Sequence, residues 1–190
     1  MKHIALSTLV LSLALTGITA HADTYSIDPA HTNANFSLDH MGTTTNRGSF
    51  SELTGTVDFD PKAKTGSVDI SIPMTSLQTN FKPFAEHLKG KDFFNAEQYP
   101  TAQFKSTKWV FKGNKPSKIY GNLTLLGKTQ PVTLTATKFN CYDNPILKAQ
   151  SCGGDFTTTI DRTKFGMNTY ADMKSMRNVK IDIQIEAYKK

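Results

Sequence analysis

The stretch Asn178-Val179-Lys180-Ile181-Asp182-Ile183-Gln184-Ile185-Glu186-Ala187 puts an apolar side chain at every second position. In an extended chain, neighbouring side chains point to opposite faces. Val179, Ile181, Ile183, Ile185 and Ala187 therefore share one face, and the polar residues share the other. A helix would scatter the same five apolar groups around its circumference. The segment is a strand with one dry face and one wet face.

The same period runs back through the chain. Phe36, Leu38 and His40 alternate, as do Val68, Ile70 and Ile72 before Pro73. Ala102, Phe104 and Ser106 lead into Trp109, Val110 and Phe111. Residues 119–126 set Ile119, Gly121, Leu123 and Leu125 against Tyr120, Asn122, Thr124 and Leu126, with apolar groups on both sides. Val132, Leu134 and Ala136 follow a Gly127-Lys128 turn, and Phe156, Thr158 and Ile160 precede Asp161. Thr occurs 25 times, and Phe and Tyr together 18 times, which suits pleated, half-buried surfaces. Regular short strands without intervening helical patterns predict an antiparallel sandwich or barrel.

One segment breaks the rhythm. Phe81, Phe84, Ala85 and Leu88 recur at helical spacing, with Pro83 in the first turn and Gly90 at the end. This predicts a short amphipathic helix covering one end of a barrel, followed by Phe93-Phe94 and a Tyr99-Pro100 turn. A second short helical turn is expected over residues 170–176, with Met173 and Met176 on one face.

Residues 1–22 are excluded from the fold. Lys2 and His3 precede an apolar run from Ile4 to Ile18, and Ala20-His21-Ala22 supplies the small residues of a cleavage site. This is the pattern of a signal peptide cut after Ala22, and the run is short for a bilayer core of ~30 Å. The expectation is a periplasmic protein with one domain over residues 23–190. Cys141 and Cys152 then lie in an oxidising compartment. Turn-forming Asn144-Pro145 and Gly153-Gly154 lie between and beside them, which predicts a disulfide across a hairpin.

The net charge is +6, and +5 once Lys2 is removed. Only Arg47, Arg162 and Arg177 are arginines, and no basic run is interleaved with aromatics, which speaks against nucleic acid. Lys-rich turns such as Lys62-Ala63-Lys64 are solvated, with weak attraction to anionic lipid surfaces. No Gly-x-Ser-x-Gly elbow, phosphate-cradling loop or dinucleotide fingerprint is present. The mature histidines, His31, His40 and His87, do not form a helical zinc pair. No catalytic residue and no metal site is predicted.

Several segments together carry a family resemblance. Tyr25-Ser26-Ile27-Asp28-Pro29-Ala30-His31-Thr32 resembles the opening motif of the YceI-like proteins, which are exported polyisoprenoid binders. Phe36, His40, Gly48-Ser49-Phe50 and Ser76-Leu77-Gln78-Thr79-Asn80 continue it. The most specific match is the run from His87-Leu88-Lys89-Gly90 through Asp92-Phe93-Phe94-Asn95-Ala96-Glu97 to Tyr99-Pro100-Thr101. Gly121-Asn122-Leu123-Thr124-Leu125-Leu126-Gly127, Pro131-Val132-Thr133-Leu134 and Arg162-Thr163-Lys164-Phe165-Gly166 complete it. The sequence departs from the pattern at Glu86 and Lys89, where the family often has Asp and Arg, and in having a Cys pair.

The resemblance implies an all-β fold, an extended antiparallel lipocalin-like barrel with the short helix near its mouth, and a homodimer. It implies a lumen for one long isoprenoid lipid, such as ubiquinone or another isoprenoid quinone, or a polyprenyl phosphate, and no catalytic cofactor. Phe36, Leu38, Phe84, Phe93, Phe94, Phe104, Leu123, Leu125, Phe156 and Phe165 are the candidate apolar lining. His31, His40, His87 and Arg162 are the candidate head-group contacts, with Arg162 alternatively holding a turn through backbone carbonyls. The expected function is sequestration or carriage of the lipid, with transient membrane contact. An enzyme or metal-dependent factor acting on the head group would need His31, His40 and a carboxylate to converge. A stress-related scaffold is the third reading.

Overall fold

The computed structural model describes residues 22–190. The expected signal peptide lies outside them except for its last residue, Ala22.

Eleven strands form one antiparallel sheet: β1 (Asp23–Ile27), β2 (Asn33–His40), β3 (Thr44–Phe50), β4 (Thr54–Asp60), β5 (Thr65–Pro73), β6 (Leu77–Gln78), β7 (Thr101–Lys112), β8 (Lys115–Leu125), β9 (Lys128–Asn144), β10 (Ala149–Asp161) and β11 (Asn178–Lys189). The first six are three interrupted staves. Short breaks separate β1 from β2, β3 from β4 and β5 from β6, and five long strands follow. The result is an eight-stave up-and-down barrel. The alternating segment read first closes it: β11 pairs with β10 on one edge and with both β1 and β2 on the other. Closure leaves no long free edge, and the inward face of every stave becomes core.

The helix α1 (Lys82–Lys89) lies between β6 and β7. Ala85 and Leu88 are buried as the spacing predicts, but Phe81 caps the N-terminus and is 63% exposed. Gly90 caps the other end with an extended backbone, so no left-handed turn was needed there. The second predicted helical turn shrinks to a 3-10 turn, Lys174–Met176, in which Met176 is buried. Tyr170 instead turns with φ 58° and is half exposed.

Residues 119–126 have only one dry face. Ile119, Leu123 and Leu125 are buried, whereas Tyr120 and Asn122 face solvent. Gly121 completes the inner face because the Phe104 ring from β7 occupies the space where a Cβ would stand. Gly66 is covered in the same way by the Trp109 ring. Large rings thus lie flat against a neighbouring strand and still leave the barrel axis open.

Cys141 and Cys152 sit directly opposite each other on β9 and β10 and form the predicted disulfide. Asn144-Pro145 opens the hairpin turn, with Asn144 Oδ1 accepting from the amides of Ile146 and Leu147. Gly153-Gly154 is strand and not turn. A Cβ there would meet the backbone carbonyls of Ile185 and Lys138 on the two flanking strands, so glycine serves close approach beside the bulge at Asp155/Phe156.

The antiparallel order gathers the turn at residues 41–43, helix α1, the Leu126-Gly127 turn and the 162–177 loop at one end. The other end carries the remaining hairpin turns and Lys190.

Candidate functional site

Two cavities lie in line inside the barrel. The inner one has a volume of about 120 Å³ and a wall almost wholly of carbon, including Val57, Val68, Phe104, Trp109, Phe156 and Ile185. Its far end is an aromatic cluster around Phe59, whose ring centroid lies 5.3 Å from Phe139, 6.1 Å from Trp109 and 6.3 Å from Phe111. Tyr25 packs edge-on against Phe59 and donates its hydroxyl to Gln150 Oε1 at 2.8 Å. Burial raises the Tyr25 hydroxyl pKa above its ordinary value.

The outer cavity, of about 360 Å³, opens at the helix end. For scale, an apolar cavity of ~150 Å³ is enough to hold benzene. Its deep wall includes Phe50, Ile72 and Ala102, and its polar residues among those described are Asn35, His40, Asn46, His87, Arg162 and Tyr170. Phe94 packs edge-on against Phe50 at 5.4 Å and beside Phe36 at 6.4 Å. His87 sits edge-on to Phe93 at 5.0 Å. The Phe93-Phe94 pair is positioned by main-chain bonds from its amides to Gly90 and Leu88 carbonyls, which fold the chain back under the helix.

The structure brings most of the sequence-predicted lining together. Phe36, Leu38, Phe84, Phe93, Phe94 and Leu125 line the outer cavity, Phe104 and Phe156 line the inner one, and Leu123 faces both. Phe165 does not join them. It is 2% exposed and packed into the core from the 3-10 turn Arg162–Phe165, whose cap Gly166 takes φ 91° and turns the chain away.

Of the polar candidates, His40 and His87 stand on the outer cavity wall and His31 does not. His31 lies before β2 and His40 ends it, so the strand's length separates them. His31 instead donates Nδ1–H to Asp28 Oδ2 at 2.8 Å on the outer surface. Glu186 from β11 completes a group of possible ligand atoms within 4.8 Å of one another. Its carboxylate accepts from Tyr142 at 2.6 Å. The convergence that an acid–base or metal reading of the head-group end required is therefore not made by His31 and His40.

Arg162 follows the alternative reading. It is 3% exposed, and its guanidinium donates to the carbonyls of Met176 at 2.6 Å, Met167 at 3.0 Å and Thr169. Burial lowers its pKa, and the neighbouring Asp161 charge works against that. The Asp161 carboxylate itself is occupied by Thr163 and by Arg177. Arg162 thus pins the 162–177 loop and presents the remainder of its cation to the outer cavity.

Sequence reasoning did not assign Trp109, Ala34, Ile181, Met167 and Tyr170 to the lumen, although all line it. The alternation of β11 already marked Ile181 as inward. No period marks Met167 or Tyr170, because the loop that carries them has none.

The YceI-like domain matches residues 25–187. The chain belongs to the YceI-like family. Protein YceI of Escherichia coli is 37% identical over 148 residues, which cover 76% of this chain and 77% of that protein. Among solved structures, BcnA of Burkholderia cenocepacia is 28% identical with a TM-score of 0.68, covering 85% of this chain and 99% of BcnA. A polyisoprenoid binding domain from Saccharophagus degradans, 13% identical, shares the fold with a TM-score of 0.57 over 90% of this chain and all of that domain. The barrel with its helix at one mouth is thus the YceI-like architecture, here with the Cys141–Cys152 bridge joining β9 and β10.

Proposed function

We propose that this YceI-like protein is an exported, periplasmic binder that sequesters or carries a long-chain isoprenoid lipid, its tail inward and its head group at the helix end. The observation that carries this reading is the polarity gradient along one lumen. The inner chamber wall is carbon, and polar side chains enter only toward the open end. A branched hydrocarbon tail gains about 0.8 kcal/mol for each methylene withdrawn from water, against the cost of ordering it. The Saccharophagus neighbour is described as a polyisoprenoid binding domain, which agrees with that ligand class.

The outer chamber favours a neutral, acceptor-bearing head such as a quinone over a polyprenyl phosphate. Among the described residues no lysine lines it, and Arg162 has already committed three donors to main-chain carbonyls. A diphosphate would call for free, converging cations. Binding, and not turnover, suits a wall whose titratable groups, among the described residues, are two separated histidines, the phenol of Tyr170 and a structural arginine. The signal-like residues 1–22 and the disulfide both suit an oxidising, extracytoplasmic compartment. Loading and unloading require brief contact with a membrane surface, which the positive net charge assists. The homodimer implied by the family resemblance belongs to the same proposal.

The test is solvent extraction of natively purified protein, followed by mass spectrometry and an ultraviolet spectrum. Near-stoichiometric recovery of one prenylated lipid with a quinone chromophore is expected. Recovery of a prenyl phosphate would keep the carrier and change the head group. An empty protein that takes up no offered prenyl lipid would overturn the reading.

A further inference from the structure

Resting on that reading of the lumen, we infer that the junction of the two chambers is a gauge of tail length, set by Ala34. Among the described residues four face both cavities: Ala34 on β2, Ile72 on β5, Leu123 on β8 and Ile181 on β11. They form a waist, one residue from each of four staves. Three are large aliphatic groups. The fourth is alanine, although the next inward positions on the same strand are Phe36 and Leu38. Ala34 is buried, pairs across the ladder with Phe50 and Ile183, and is the one small side chain of the waist. Its missing carbons are the passage.

The volumes set what each chamber takes. Benzene, with six carbons, fits a cavity of ~150 Å³, so five-carbon isoprenoid units are gauged on nearly the same scale. For an alcohol, whose head takes little of the outer chamber, the outer volume of about 360 Å³ corresponds to roughly two units and the inner one of about 120 Å³ to roughly one more, the first three units of a longer tail. Tails of two units are held without crossing the waist. Longer tails bury a further unit beyond it, against an apolar wall that exacts no polar desolvation. The chain's single tryptophan, Trp109, lines the inner chamber and not the outer one, so its emission reports which tails have crossed.

The experiment titrates the intact protein with geraniol, of two isoprenoid units, and farnesol, of three, following both Trp109 emission and calorimetric affinity. Farnesol is expected to bind more than about tenfold tighter than geraniol, since one extra unit withdraws five carbons from water, and to be the alcohol that shifts the emission. In Ala34→Phe the preference falls to within about twofold and the emission response to farnesol is lost. Ile72→Phe, which narrows the waist from β5, gives the same pattern if the first variant does not fold. Full farnesol preference and emission response in folded Ala34→Phe or Ile72→Phe would overturn the gauge. So would geraniol alone shifting Trp109 in the unaltered protein. If neither alcohol binds the unaltered protein, the isoprenoid reading itself falls and the gauge with it.

Discussion

Arg162 is a cation buried at the rim of an apolar lumen, and among the described residues no carboxylate pairs with it. Its stabilisation comes from three main-chain carbonyls of a loop that has almost no regular structure of its own. Hydrogen bonds to charged groups contribute about 1.5–3 kcal/mol each, and a carbonyl left buried without a donor carries the desolvation cost in full. Arg162→Met is therefore expected to lower stability by about 3 kcal/mol or more, or roughly 6–12 °C in melting temperature. Arg162→Lys should recover only part of this, because a point charge cannot reproduce the planar fork. Thermal melts of the two variants check this, and a methionine variant melting with the parent would refute it. The run Arg162-Thr163-Lys164-Phe165-Gly166 made a turn-holding role legible in the sequence. Which carbonyls it would hold was not, since they come from positions five to fourteen residues away in a loop without periodicity.

At the scale of the element, the β9–β10 hairpin depends on its bridge. β8 stops pairing with β9 at Lys118↔Thr135, so from Lys138 to Asn144 β9 is laddered on one side only, to β10. A half-laddered arm frays readily. The disulfide closes a loop with a sequence separation of 11 residues, for which the chain-entropy model gives about 3 kcal/mol. Reduction, or the Cys141→Ala/Cys152→Ala pair, is expected to lower the melting temperature by roughly 6–12 °C. Amide exchange should rise first in residues 138–144. Calorimetry with and without reductant decides it, and an unchanged melt would show that the arm is held by its ladder alone. The pairing of the two cysteines was legible from their number and context. The role of Gly153-Gly154 was not, because crowding by carbonyls from two flanking strands exists only once the sheet has formed.

For the whole molecule the decisive event is closure of the barrel, and it has a pH signature. The break between β1 and β2 is tied to β11 by the Asp28 amide, which donates to the Glu186 carbonyl at 2.8 Å, and by Thr32, whose hydroxyl bonds the Glu186 backbone. Asp28 and His31 pair at that seam. The hydrogen bond from His31 is the main cause holding the Asp28 carboxyl below its ordinary 3.8, and the same bond, then the Asp28 charge, lifts His31 above its ordinary 6.5. A raised imidazole stabilises the fold fully below its unfolded value and loses that contribution as pH rises through the folded one. A lowered carboxyl stabilises above its unfolded value and loses it as pH falls through the folded one. The difference in melting temperature between the parent and His31→Gln is therefore expected to be greatest between about pH 4 and 6.5 and to shrink on both sides. A difference independent of pH would refute the pairing. Period-two alternation and turn residues determined by themselves that this chain is an antiparallel sandwich or barrel, and the spacing at residues 81–88 that it carries a short helix, because backbone geometry converts a repeat of two directly into faces. Closure into a barrel was implied by the family resemblance and made by the pairing of β11 with β1 and β2. Only the tertiary structure decided that Phe104 faces the inner chamber, that Phe165 is core, that His31 and His40 part company, and that Ala34 faces both chambers. Those outcomes depend on barrel shear and on which staves meet across the lumen, and no local period encodes a distance between strands far apart in sequence.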